Sequence, residues 1–121
     1  MPKRILIVDD SNAIRQSITF VLEQAGFAVA QAVDGADAVK ILETQAFDLV
    51  VSDVNMPNMD GIALTKHIRQ NARHKFTPIL MLTTESQAGV MQEGKAAGAT
   101  GWIVKPFEPD KLLAVVKKFV G

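Results

Sequence analysis

Leu49-Val50-Val51-Ser52-Asp53 is a short run of apolar and small residues that ends in a carboxylate, and Val54-Asn55-Met56-Pro57-Asn58-Met59-Asp60-Gly61 follows it as a turn-rich stretch. A brief, nearly continuous apolar run fits a parallel strand covered on both faces. Three other runs have the same form. Ile5-Leu6-Ile7-Val8 ends in Asp9-Asp10, Ile79-Leu80-Met81-Leu82 ends in Thr83-Thr84, and Trp102-Ile103-Val104 ends in Lys105-Pro106. Ala28–Ala32 is the remaining strand candidate. Ligands of open α/β sheets bind just outside the carboxyl ends of the strands. Acids at two strand ends, a hydroxyl pair at a third and a lysine at a fourth therefore suggest one pocket.

Between these runs the apolar spacing becomes helical. Ile14, Ile18, Val21, Leu22 and Ala25 fit one helix face, with Gly26 as its stop. Asp34-Gly35 opens a second helix whose inner face is Ala38, Val39 and Leu42. Asp60 caps a third carrying Leu64 and Ile68, and Ser86 caps a fourth that runs through Val90 and Met91 to a stop near Gly98. Pro109 suits the first turn of a fifth, striped by Leu112, Val116, Phe119 and Val120. Repeated strand–helix alternation predicts an α/β sandwich, with right-handed crossovers placing helices on both faces. A flavodoxin-like (βα)5 fold with a five-stranded parallel sheet of order 2-1-3-4-5 fits, although periodicity alone does not prove the order. That order makes the first and third strands neighbours and gathers Asp9, Asp10 and Asp53.

The 121 residues suit one domain, expected to span 1–121. Thirteen basic and 13 acidic side chains give zero net charge, so no general attraction to nucleic acid or an anionic membrane is indicated. The absence of cysteine excludes disulfides, thiol catalysis and Cys-zinc sites. The apolar run after Met1-Pro2-Lys3-Arg4 is too short for a signal sequence or a membrane span, and a cytoplasmic location is expected. The methionines at 56, 59, 81 and 91 read as packing. His67 and His74 lack partners at metal or relay spacing and are expected on the surface.

Three close carboxylates repel one another unless a cation intervenes. Carboxylate and carbonyl oxygens suit Mg²⁺, which is held by one or two carboxylates and keeps waters. A carboxylate is itself a nucleophile toward phosphorus, giving an aspartyl-phosphate. A metal and Lys105 would neutralise the charge of the transferring group, and Thr83 would donate its hydroxyl to it. Taken singly, these residues have commoner explanations: Asp9 or Asp10 as a helix cap, Asp53 as a turn brace, Lys105 as a solvated lysine, Thr83 as a strand-end hydroxyl. Their joint placement at four strand ends favours the shared pocket.

Val8-Asp9-Asp10-Ser11, Asp53 through Gly61, Leu82-Thr83-Thr84-Glu85 and Gly101-Trp102-Ile103-Val104-Lys105-Pro106-Phe107 resemble the receiver domains of two-component response regulators. The likeness is strongest to the single-domain, CheY-like chemotaxis regulators and covers essentially the whole chain in order. CheY is itself a known instance of the 2-1-3-4-5 order, so the resemblance implies the same order here.

The resemblance implies that Asp53 accepts a phosphoryl group from a sensor histidine kinase of the chemotaxis type. It implies Mg²⁺ bound by Asp10, Asp53 and the Asn55 backbone carbonyl, with Asp9 acting through water. It pairs Lys105 with the phosphoryl group across a cis Lys105-Pro106 bond, and makes Thr83 and Trp102 the switch pair. Asn55 and Glu85 fall where the family tunes loss of the phosphoryl group. Trp102 departs from the tyrosine or phenylalanine usual there; indole is bulkier and donates its N–H differently from a phenol. The implied partners are the kinase, a flagellar switch protein or another protein target, and a phosphatase. A monomer that binds neither nucleic acid nor membrane is expected.

Phosphorylation would pull Thr83 inward, vacate space for Trp102 and reshape the fourth helix, where Gly89 and Gly94 each cost about 1 kcal/mol relative to alanine. A phosphate sink or relay intermediate shares all these site residues. An aspartyl-phosphate-forming phosphatase is a more distant alternative, since position 55 is Asn where such enzymes usually carry a second acid. A flavodoxin-type binding module needs a hydroxyl- and glycine-rich phosphate loop, and Asp9-Asp10-Ser11 would repel a phosphate. The chain is thus expected to be a phosphoacceptor signalling domain that assists its own modification, not an enzyme acting on external substrates.

Overall fold

The computed structural model describes residues 2–84 and 88–120. The elements alternate as β1 (Arg4–Val8), α1 (Asn12–Gln24), β2 (Ala28–Ala32), α2 (Gly35–Thr44), β3 (Leu49–Asp53), α3 (Gly61–Arg69), β4 (Ile79–Thr83), α4 (Ala88–Ala97), β5 (Gly101–Val104) and α5 (Pro109–Val120). All strand pairs are parallel and the sheet order is β2-β1-β3-β4-β5. This is the flavodoxin-like (βα)5 sandwich of order 2-1-3-4-5 expected above.

The alternating direction of side chains along each strand splits the core into two layers. Leu6, Val8, Val50, Ile79 and Met81 pack against Ala38 and Leu42 of α2 and Leu64 and Ile68 of α3. Ile5, Ile7, Leu49, Val51, Leu80 and Leu82 pack against Ile18 and Leu22 of α1 and Leu112 and Val116 of α5. β3 and β4 are buried at every position, whereas β2, at one edge, is mostly half-buried. Each fully buried Leu or Ile contributes about 1.5–3 kcal/mol relative to exposure, so the central strands set the frame.

The helix starts follow their predicted signals where these are described. Asp34 Oδ1 accepts the Asp37 N–H, and Asp60 Oδ1 accepts the Ala63 N–H. At α1 the cap is Ser11, whose Oγ accepts the Ile14 N–H, so the preceding acids are not its cap. The expected cap of α4, Ser86, lies outside the described residues. Gly26 and Gly98 follow α1 and α4 with positive φ of 96° and 112°, a conformation that ends helices readily.

His74 differs from the sequence reading. It is buried, and its Nε2 accepts the Phe47 N–H at 3.2 Å. The α3–β4 connection folds back beneath the α2–β3 turn, a contact that a polar sequence segment does not reveal. His67 is exposed as expected.

Candidate functional site

Sheet register builds the site. Val8 is level with Ser52 of β3, so Asp9 emerges beside Asp53. Asp53 is level with Leu82, and Thr83 with Val104, which brings Thr83 and Lys105 to the same rim. Asp9 and Asp53 are buried and Asp10 is exposed; one carboxylate oxygen from each lies within 4.8 Å of the others.

Lys105 Nζ is 3.0 Å from Asp53 Oδ1 and 3.5 Å from Asp9 Oδ2. One ammonium thus bridges two of three carboxylates, leaving the cluster net negative. Burial pushes the Asp9 carboxyl up, and the Asp53 charge adds to this. The Ser11 N–H, donated to Asp9 Oδ1 at 2.8 Å, and Lys105 act the other way. The Lys105-Pro106 peptide bond is cis, as expected.

Backbone approach is close behind Asp53. Its Oδ1 accepts the Val54 N–H at 2.9 Å, and Gly61 N–H returns to the Val54 carbonyl at 2.8 Å. A Cβ on Gly61 would sit 2.2 Å from the Asp53 carbonyl oxygen, so only glycine fits where α3 begins. Asn55 follows in the loop that closes there and is exposed.

Thr83 is 1% exposed, and its Oγ1 has no hydrogen-bond partner among the described residues. A buried hydroxyl left unpaired costs about 1–3 kcal/mol, a cost that an acceptor entering the pocket would remove. Trp102 lies level with Met81 on β5 and is half-buried. Its indole lies against Gly94 of α4: a Cβ there would meet Cη2 at 2.7 Å and Cζ3 at 2.9 Å. The expected tuning residue Glu85 lies outside the described residues. Ile14, Thr84, Lys105, Pro106 and Phe107 line a cavity of about 360 Å³ beside the acids.

The sequence reading missed Arg15. From α1 its Nη1 donates to the Asp9 carbonyl at 2.6 Å, and its Nη2 to Asn12 Oδ1 at 3.1 Å. Its position one helical turn past Ser11 was the available signal, but helical spacing does not show which way a long side chain turns.

The donor chemistry fits Mg²⁺: clustered carboxylate oxygens with excess negative charge suit a hard, oxygen-seeking cation. Asp9, Asp10, Asp53 and the lysine opposite them form a basin able to receive a dianionic group and its counterion together.

Residues 5–117 match the response regulator receiver domain family. The chain is 40% identical over 116 residues to the chemotaxis protein CheY of Pseudomonas aeruginosa, covering 95% of this chain and 94% of that protein. The structure of the Vibrio cholerae chemotaxis response regulator CheY4 superposes with a TM-score of 0.94 at 47% identity, over 98% of this chain and 99% of that one. The receiver domain of the Pseudomonas aeruginosa sensor histidine kinase PA1611, solved with a magnesium ion coordinated in its active site cleft, gives a TM-score of 0.92 at 28% identity over 100% and 99% of the two chains.

Proposed function

The chain belongs to the response regulator receiver family, and on that premise we propose that it is a chemotaxis-type switch phosphorylated on Asp53 by a sensor histidine kinase. The observation that carries this reading is Lys105 Nζ at 3.0 Å from Asp53 Oδ1 inside the acidic cluster. A carboxylate oxygen of Asp53 attacks the phosphorus of a kinase phosphohistidine. The new O–P bond forms as the N–P bond breaks, and its electron pair returns to the imidazole. Lys105 holds the phosphoryl oxygens, and Thr83 gives its buried hydroxyl to one of them. Mg²⁺, held by Asp10, Asp53 and the Asn55 carbonyl, with Asp9 through water, would neutralise charge on the transferring group. The cavity lined by Ile14, Pro106 and Phe107 gives the kinase an apolar rim to dock on.

The output follows from what Thr83 leaves behind. Its movement toward the phosphoryl group opens space next to β5, and Trp102 and α4 readjust. Each ~1.4 kcal/mol of differential interaction changes the state ratio tenfold, so a modest bias suffices. The likeness to the chemotaxis proteins supports a flagellar switch protein as target. Likeness to the receiver of a sensor histidine kinase favours the second reading, a phosphate sink or relay intermediate. No helix among the described residues is long and apolar enough to cross a membrane.

Phosphorylation by phosphoramidate with Mg²⁺, followed by intact mass, tests the first step. One phosphoryl group is expected on the wild type and none on Asp53→Asn; equal labelling of both overturns the assignment. Binding to a flagellar-switch N-terminal peptide, with and without beryllium fluoride and Mg²⁺, then separates the outputs. Trp102, the only tryptophan in a chain without tyrosine, reports the binding. Tighter binding by the activated protein supports the motor; no binding in either state, with Asp53 still phosphorylated, supports the sink or relay.

A further inference from the structure

The loop after Asp53 leans on the start of α2. Asn58 Nδ2 donates to Asp34 Oδ2 at 2.7 Å, while Asp34 Oδ1 caps α2 through the Asp37 N–H at 2.8 Å. Next to this contact, Gly35 N–H donates to the Met59 carbonyl at 3.2 Å. The two surfaces meet so closely that a Cβ on Gly35 would lie 2.6 Å from that carbonyl oxygen. Asn58 holds a φ of 68°, and it is the non-glycine residue with positive φ among the described residues. Asparagine tolerates this region better than most side chains, but a cost remains unless the surroundings hold it there. The hydrogen bonds from Asp37 and Asn58 keep the Asp34 carboxyl below its ordinary range, so it is a charged acceptor at neutral pH.

We infer that Asp34 and Asn58 are positioning residues that clamp the 54–60 loop and thereby set the affinity of the acidic pocket for a divalent cation. The loop is closed at its base by the Gly61–Val54 bond, and the clamp holds its far side. Asn55 lies between these two ties along the chain, so both restrict the directions open to its carbonyl. A loop freed at Asn58 would sample other carbonyl directions, and ordering it again would be charged against cation binding. The inference rests on the Mg²⁺ reading above. It differs from that reading in assigning affinity to two residues that contact neither the cation nor the phosphoryl group. Outer-shell partners of this kind typically change metal affinity by 10–100-fold.

Two substitutions isolate the clamp. Asn58→Gly removes the side chain but accepts positive φ without strain. Asp34→Ser keeps a helix cap yet is too short to reach Asn58. Asp34→Asn also caps α2 and can pair amide to amide with Asn58, so it serves as the conservative rescue. Titrating MgCl₂ into the full chain while following the amide signals of Val54, Asn55 and Met56 by NMR gives the binding midpoint. Thermal melts in EDTA measure stability separately. Asn58→Gly and Asp34→Ser are each expected to raise the midpoint about tenfold. The double variant is expected to do no more than either one, and Asp34→Asn to stay close to wild type. Unchanged midpoints in the two single variants, with normal binding by the wild type, overturn the clamp even if both melt at lower temperature. A wild type without saturable Mg²⁺ shifts, or an Asp10→Asn variant that binds as well, overturns the metal reading and the clamp with it.

Discussion

The loop behind Asp53 and the α4–β5 face border the same pocket but are built differently. The loop is closed by Gly61, pinned by Asp34 and Gly35, and backed by Thr65, whose hydroxyl donates to the Gly61 carbonyl at 2.8 Å. The α4–β5 face has a helix with one glycine in its first turn and another in its interior, and an indole resting on the second. At its C-terminal end α4 is tied through Arg69, whose Nε and Nη2 donate to the Gly98 carbonyl at 3.0 and 2.8 Å. Phosphoryl transfer needs oxygens at fixed positions, because misplacement erodes electrostatic stabilisation. A surface that reports the transfer needs two packings close in energy, which weakly propagating helices provide. Under the proposed function, the difference between the regions follows these different demands.

The largest expected effect breaks the rigid side. Gly61→Ala places a methyl 2.2 Å from the Asp53 carbonyl oxygen and 2.7 Å from Met81 Cε. It should destabilise the fold by about 3 kcal/mol, measured as a lowered urea midpoint. A loss below about 0.5 kcal/mol would mean that the loop yields easily and that the comparison fails.

Asp9→Asn probes the strain that the rigid side holds. Burial and the Asp53 charge raise the Asp9 carboxyl, so its ionised form is unfavourable in the folded state. Removing that charge should stabilise the protein in EDTA by on the order of 1 kcal/mol. Mg²⁺ should narrow the gap between wild type and variant, and parallel melts with and without MgCl₂ check both statements.

The soft side is sharpened by two alanines five residues apart in α4. A Cβ on Gly89 meets nothing within 4 Å, so Gly89→Ala, in the first turn of α4, should gain about 0.5 kcal/mol from helix propensity alone. Gly94→Ala also gains propensity but strikes the Trp102 ring, and its net stabilisation should be smaller or reversed. It should also shift the Trp102 emission maximum, which Gly89→Ala should leave in place. Identical emission in the two variants would show that Gly94 is not the seat of the indole.

The smallest effect sets the conditions for these measurements. His74 lies under the α2–β3 turn, and burial, with a smaller contribution from the Arg73 charge, lowers its pKa. The unfolded chain therefore binds the proton first as pH falls. The stability from neutral His74 is present above about pH 6.5 and is lost progressively below it, by less than about 1 kcal/mol at first. Urea midpoints at pH 7.5 and 5.5 should differ in this direction. His74→Gln, which can still accept the Phe47 N–H but does not titrate, should flatten the difference.

The alternation of elements and the identity of the four strand-end side chains were legible in the amino-acid sequence alone. Leu49–Asp53 and Ile79–Thr83 are nearly continuous apolar segments because both faces of their sheet are covered, and that pattern is local. Caps at Asp34 and Asp60 were legible for the same reason, since a cap and its target N–H lie within one helical turn. The partnerships, by contrast, depend on how distant segments come together. Lys105 reaches Asp9 across 96 positions of chain, Asn58 finds Asp34 across 24, and His74 finds Phe47 across 27. The Thr83 hydroxyl, without a partner among the described residues, and the contact of Trp102 with Gly94 are likewise products of sheet register and helix seating. Periodicity records which face a residue turns inward; crossovers and register decide what it meets there.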